Sequence, residues 1–295
     1  MPWQRLFEIT DRQPLNPVLD DAYGELLERL GEVTPFELAV LGGRLAATPG
    51  MAFLAGYQGA LRLLWPSAPQ SLGALCVTEN RSVRPTDMQT RLDGLSLSGR
   101  KDFVTAANAA DWLLVAAREE AVGESPRLAL VVVRNGAPGV RIEPLKPLPL
   151  MPEVPHARLL LEGAHCERLA GDGWDAYVKP FRSLEDLHVL AALCAWLHGV
   201  GRECAWSQAL QLRLLGLLAG AAEVARQCAN MPAMHVLLAS LFAQFQAIKG
   251  ELDAAFASGP EAWAKLWKRD QGVLDIASGP RAKRLEKALS SLGLG

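Results

Sequence analysis

Two stretches decide how this chain is read: ALCVTENRSVRPTD at positions 74–87 and LSGRKDFVTAANAADWLLVAAR at 97–118. An apolar run ends in Thr78 and Glu79. A second segment opens on Gly99, Arg100 and Lys101, then alternates through Phe103, Val104 and Thr105 into the apolar DWLLVAAR. Short apolar runs bounded by turn residues are the signature of strands. The same signal extends outward from about 72 to 169 through LGALCVT, LSLSG, RLALVVV, GVRIEPL and ARLLLEGAHC, with turn chemistry at Asp93-Gly94, Asn135-Gly136 and Pro138-Gly139. The expectation is a mostly antiparallel barrel or sandwich. The proline-rich PLKPLPLMPEVP at 144–155 reads as a rigid surface loop between two of its strands.

On both sides of this region the period changes to helical. Leu26, Leu27 and Leu30 share a face, a second pattern runs from Phe36 through Leu41 to Leu45, and MAFLAGYQGALRLLWP follows a break at Pro49-Gly50. Beyond Lys179, long patterned segments cover 184–218, 221–256 and 261–292, with breaks at Asn230-Met231-Pro232 and Ser258-Gly259-Pro260. The expected organisation is an N-terminal helical domain over 1–70, a central β domain over 71–175 and a C-terminal helical bundle over 176–295. Trp196, Leu197, Leu210, Leu214, Leu215 and Leu217 spread around the helices of the bundle, so burial on several sides by a second copy is expected, as a homodimer or higher homo-oligomer.

Of the 295 residues half are apolar, and 30 Lys and Arg nearly balance 32 Asp and Glu. A net charge of −2 offers no bulk attraction to nucleic acid or anionic lipid. The five cysteines, Cys76, Cys166, Cys194, Cys204 and Cys228, form no C-x-x-C pair and suit a reducing, cytoplasmic location. The stretch 1–17 carries acids and prolines where an export signal needs a basic start and an apolar run. Charge and His interrupt every long apolar stretch, so no membrane span is expected. The five histidines, His156, His165, His188, His198 and His235, lack metal-ligand spacing.

Helices, then a sheet, then a helical bundle is an unusual order, and here the sequence resembles the acyl-CoA dehydrogenase family. ALCVTEN is similar to the family strand that ends in T-E and lines the flavin. LSLSGRKDFVTAANAADWLLVAAR is similar to its L-x-G-x-K-x-W-I-T-x-x-x-x-A-D segment, and ALVVVRNGAPGVRI to the following strand and P-G-V turn. The resemblance runs from about 47 to 292 and is strongest over 72–140. The implied fold is α+β: an N-terminal helical segment, a central antiparallel barrel or sandwich, and a C-terminal helical bundle. The implied activity is a flavin-dependent oxidation of an acyl thioester or related substrate, with FAD as cofactor. Val77, Thr78 and Thr105 would contact the flavin edge through backbone and hydroxyl groups, and Phe103 would stand where the family usually has Trp.

Other positions depart from the family. NRSVRPTD replaces a Gly-Ser-Asp segment, leaving Thr86 and Asp87 as its remnant and, with Arg182, as candidates for substrate contact. Arg213 is the one counterpart of an Arg that reaches the flavin pyrophosphate of a neighbouring subunit, and its surroundings differ. No Q-x-x-G-G-x-G turn is evident. If DIASGPRAKR corresponds to the family's E-G-T region, Ser278 replaces the catalytic Glu. Proton removal beside a thioester needs a carboxylate base, and Glu185, Asp186 and Glu203 in the first long C-terminal helix are the candidates. Glu185 and Asp186 lie near a helix start, where the dipole alone favours acids, so capping is the competing reading. Two functions therefore stand open: an oxidoreductase that binds FAD, and an inactive descendant that serves as a binding or assembly protein, its cleft filled by side chains such as Arg84 and Phe103.

Overall fold

Thr34 and Thr48 begin two of the helices on which the molecule is built. In the computed structural model, which describes residues 2–8, 19–106, 108–121 and 123–295, α1 (Trp3–Glu8) and α2 (Leu19–Leu30) precede α3 (Pro35–Leu45) and α4 (Pro49–Leu64). Residues 9–18, more than half of the stretch read above for an export signal, lie outside the described residues. Thr34 and Glu37 form a reciprocal capping box on α3, with Pro35 in its first turn. The Thr48 hydroxyl accepts the Met51 N–H at 3.2 Å to cap α4, and Pro49 occupies its first turn.

The strands follow: β1 (Gly73–Cys76), β2 (Arg91–Asp93), β3 (Ser96–Thr105), β4 (Trp112–Arg118), β5 (Leu128–Arg134), β6 (Val140–Pro144), β7 (His156–His165) and β8 (Glu167–Arg168). They form one sheet in the order β6-β7-β3-β2-β4-β5-β8, with β1 also paired to β4. Most pairs are antiparallel; β1 and β2 both run parallel to β4 because the chain leaves the sheet after Cys76 and returns at Arg91 in the same direction. The sheet curls around a filling that includes Leu97, Val104, Val115, Val131 and Leu159. Gly99 (φ 144°) lies within β3, where a Cβ would stand 2.5 Å from the Thr90 backbone.

A π turn at Trp174–Val178 leads into α5 (Lys179–Glu203), followed by α6 (Gln208–Val224), α7 (Pro232–Ala257), α8 (Glu261–Asp270) and α9 (Ser278–Ser291). Two interruptions go beyond the expected breaks: Ala205, in the left-handed region at φ 51°, separates α5 from α6, and a 3-10 turn at Gln271–Asp275 separates α8 from α9. One core includes Leu38, Leu54, Leu190, Trp196, Leu214 and Phe245, so N-terminal and C-terminal helices share it. Trp196, Leu197, Leu210, Leu214 and Leu217 are all buried within a single chain. The cover that the sequence assigned to a second copy comes from α3, α4, α6 and α7. Among the described residues no helix is long and apolar enough to cross a membrane.

Glycine lets α3 and α4 lie this close to α5. A Cβ on Gly43 would stand 2.2 Å from the Ala192 carbonyl oxygen, and one on Gly56 2.7 Å from the His188 carbonyl oxygen, both rigid backbone atoms. Gly56→Ala is expected to destabilise the protein by about 1–3 kcal/mol, as overpacking of a dense core does. A denaturant midpoint unchanged from the parent would contradict this packing.

Candidate functional site

Lys101 is fully buried, and its ammonium lies 2.5 Å from Glu79 Oε1 and 3.4 Å from the Val77 carbonyl oxygen. The Glu79 carboxylate also accepts the backbone N–H of Gln89 at 2.6 Å and of Thr90 at 3.3 Å. Burial alone would raise the Glu79 carboxyl, but Lys101 and these hydrogen bonds hold it below the usual range. On the next residue, the Asp102 N–H donates to the Thr78 carbonyl at 2.9 Å, while its carboxylate accepts the Asn80 N–H at 2.6 Å and pairs with Arg100 at 2.7 Å. Asn80 and Arg81 (φ 48° and 63°) make a tight turn closed by paired Glu79–Ser82 backbone bonds. The end of the apolar run in Thr78-Glu79 thus meets Lys101-Asp102 through two ion-paired side chains and the backbone.

This clamp fixes one wall of a cavity of about 680 Å³ between the sheet, α4 and α5. Val77, Thr78, Phe103 and Thr105 lie on the wall, and Arg182, Glu185 and Asp186 face them from α5. The Phe103 ring stacks on His156 at 4.3 Å between centroids and stays 42% exposed, so it borders the cavity without filling it; Val83, not Arg84, reaches the lining. The Tyr57 hydroxyl accepts the Leu75 N–H at 2.8 Å, and the Thr105 hydroxyl lies 3.4 Å from His156 Nε2. Burial, reinforced by Glu185, pushes the Tyr57 phenol well above its ordinary value, and burial lowers His156, so both are neutral at pH 7.

The proline-rich connector is a loop with Lys146, Pro147, Pro149 and Pro152 exposed, but it does more than cover the surface. Leu148, Pro149, Leu150 and Met151 form another side of the cavity. Met151, left-handed at φ 48°, donates its N–H to the buried Asp270 at 2.8 Å, and Glu153 is held by Arg269 at 3.0 Å and by the Thr48 hydroxyl.

The acids separate clearly. Glu185 and Asp186 lie in the second turn of α5, beyond its first turn, and cap nothing. Asp186 is buried and pairs with Arg281 at 2.8 Å and with Arg284; desolvation raises its carboxyl while both arginines oppose. Glu185 is part-buried and makes no hydrogen bond or ion pair among the described residues. Desolvation, and then the Asp186 carboxylate, push it up to about 8. Glu203 sits about 27 Å further along the same helix, beside Arg44 at 4.0 Å. Thr86 and Asp87 occupy an exposed 3-10 turn, bonded to each other and to Ser82, off the cavity lining. Arg213 pairs with Glu251 from α7 and also lies off that lining. Ser278 opens α9; its neighbours Ile276 and Ala277 line the cavity. No group of three or more potential metal ligands occurs among the described residues.

A sheet wall of backbone and hydroxyl groups thus faces a carboxylate on a long helix across a largely apolar cleft. Residues 74–164 match the family model described as the acyl-CoA dehydrogenase middle domain. No curated protein matches by sequence. Among solved structures, the chain is similar to FkbI for biosynthesis of the methoxymalonyl extender unit of a polyketide (19% identity, 99% of this chain and 98% of that one, TM-score 0.61). It is similar to PigA in complex with FAD (16%, 99% and 93%, TM-score 0.65) and to butyryl-CoA dehydrogenase from Megasphaera elsdenii (12%, 97% and 94%, TM-score 0.66). The central sheet is similar in sequence to the acyl-CoA dehydrogenase middle domain, and the fold of the whole chain is similar to that of these structures.

Removing one partner of the buried pair leaves an uncompensated charge, so Lys101→Met is expected to cost about 3–5 kcal/mol, with the double variant Glu79→Gln, Lys101→Met recovering much of it. Equal unfolding midpoints for the parent and Lys101→Met would contradict the pairing. A second expectation concerns Glu185. Its folded-state pKa of about 8 lies above the unfolded value, so its protonated form stabilises the protein at low pH and that contribution is lost as pH rises through about 8. Melting curves of Glu185→Gln relative to the parent should shift in the variant's favour between pH 6 and pH 9. Parallel curves would contradict the assignment.

Proposed function

We propose that this chain is a flavin-dependent oxidoreductase acting on an acyl thioester or a related substrate, with Glu185 as the proton-accepting residue. The observation that carries this reading is the meeting in one cavity of Val77, Thr78, Phe103 and Thr105 with Glu185. The wall suits the isoalloxazine end of FAD: Val77 through its backbone and Thr78 and Thr105 through hydroxyls would hold the polar edge, and Phe103 would lie against the ring. Bound FAD would supply the hydride acceptor. Glu185 in its ionised form would take the proton alpha to the thioester carbonyl, and the same apolar setting that raises its pKa strengthens it as a base. Asp186, held by two arginines, is a positioning residue for that helix turn. The basic side chains on the cavity lining, among the described residues, are Arg182 and Arg281. A second copy in a homo-oligomer would therefore complete the diphosphate and adenine half.

A second reading, a descendant that keeps the fold as a binding or assembly protein without FAD, is favoured by the engagement of Arg213 with Glu251 and by Ser278 in the segment that borders the cavity. The visible absorption spectrum during titration with FAD separates the two. The flavin reading expects saturable uptake by the parent and by Glu185→Gln alike. It also expects turnover of an acyl-CoA panel to fall by about 10²-fold or more in the variant, and the parent kcat/KM to rise with pH through about 8. Failure to take up FAD would overturn it in favour of the second.

A further inference from the structure

Four charged side chains line the cavity: Arg182, Glu185, Asp186 and Arg281. Two of them satisfy each other. Arg281 donates to Asp186 and to the Leu274 carbonyl, and its guanidinium lies 3.9 Å from the centroid of the Phe242 ring; Asp186 also takes Arg284. Arg182 makes no hydrogen bond or ion pair among the described residues, although it is part-buried beside Val178, Phe181 and Leu274. Arg182 feels the carboxyls of Glu185 and Asp186 through space but hydrogen-bonds neither; a guanidinium drawn partly out of water with its donors unfilled bears a desolvation cost that a bound anion offsets, and its planar fork fits a carboxylate through two parallel hydrogen bonds. Asp186, already saturated, cannot serve as that anion. Around this end of α5 three arginines, Arg182, Arg281 and Arg284, stand against the carboxyls of Asp186 and Glu185, so the region is electropositive even with both ionised.

Spacing narrows the ligand. Arg182 and Glu185 are three residues apart on α5, which brings their Cβ atoms within about 5–6 Å on one helix face. A substrate whose reacting carbon lies at Glu185 would carry its anion only a few bonds away. We infer that the acyl group of the substrate bears a terminal carboxylate, held by Arg182. This rests on the flavin-dependent reading for the reaction, but the carboxylate site itself is a binding property that can be measured without turnover. The same arginine chemistry would also accept a cofactor phosphate, and the two sources are separable.

The test is calorimetric titration of the full chain, with and without FAD, using succinyl-pantetheine and 4-methylpentanoyl-pantetheine, in which an isopropyl group replaces the carboxylate. Succinyl-pantetheine is expected to bind tighter by about tenfold or more, the worth of a charge-assisted hydrogen-bonded contact. Arg182→Met should erase that preference while leaving the uncharged thioester within about twofold, and Arg182→Lys should keep part of it. FAD affinity should be the same in Arg182→Met and the parent. Equal affinity for the two thioesters, or a preference that survives Arg182→Met, overturns the inference. So does a loss of FAD affinity in Arg182→Met with no discrimination between thioesters, since the anion held is then the cofactor's phosphate. If FAD fails to bind while the succinyl preference holds and depends on Arg182, the carboxylate site stands and the oxidoreductase reading falls.

Discussion

The site depends on the buried ion pair between Lys101 and Glu79. An ammonium and a carboxylate removed from water are worth keeping only when their remaining hydrogen-bonding capacity is met, and here it is: Glu79 takes two backbone amides and Lys101 reaches the Val77 carbonyl. The consequence is geometric. The chain leaving β1 and the middle of β3 are held side by side, with the Asp102 N–H on the Thr78 carbonyl, so that Val77 and Thr78 share a wall with Phe103 and Thr105. The pair and the Asp102 carboxylate, which accepts the Asn80 N–H, together anchor the turn through left-handed Asn80 and Arg81.

The opposite wall is set by helix packing. Gly43 and Gly56 bring α3 and α4 against the backbone of α5, which buries that helix on nearly every side and leaves the turn carrying Arg182, Glu185 and Asp186 facing the sheet. Neighbouring carboxyls on that turn have different fates because their surroundings differ. Asp186 is ion-paired to two arginines; Glu185 is ion-paired to none, and desolvation with the Asp186 carboxylate outweighs the more distant Arg284 and Arg182, so it holds its proton. A carboxyl raised by burial beside a cleft is a frequent mark of proton-transfer sites.

The segments of the wall were legible in the sequence because their signals are local: the T-E ending just after β1, and the Gly-Arg-Lys opening with the alternation through Phe103 and Thr105 within β3. The helical runs from Phe36 to Leu45 and after Pro49-Gly50 were legible for the same reason. What escaped was long-range. The place of Leu148 to Met151 on the cavity wall was not visible because the anchors of their loop, Asp270 and Arg269, lie more than a hundred residues away. Helix periodicity alone offered Glu185 and Glu203 equally, and only the packing of α5 shows that they sit at opposite ends. Apolar residues all around α5 and α6 suggested a second copy, since nothing local indicates that α3 and α4 return to cover them. Ala205 carries no turn signature, so the break between α5 and α6 went unseen.

The account turns on Glu185 sharing an apolar cavity with the sheet wall, and carbon-13 NMR titration of carboxyl-labelled glutamate tests it most directly. It predicts one glutamate carboxyl with a midpoint near 8, absent from the spectrum of Glu185→Gln. A spectrum in which every glutamate titrates in the ordinary carboxylate range would contradict the account.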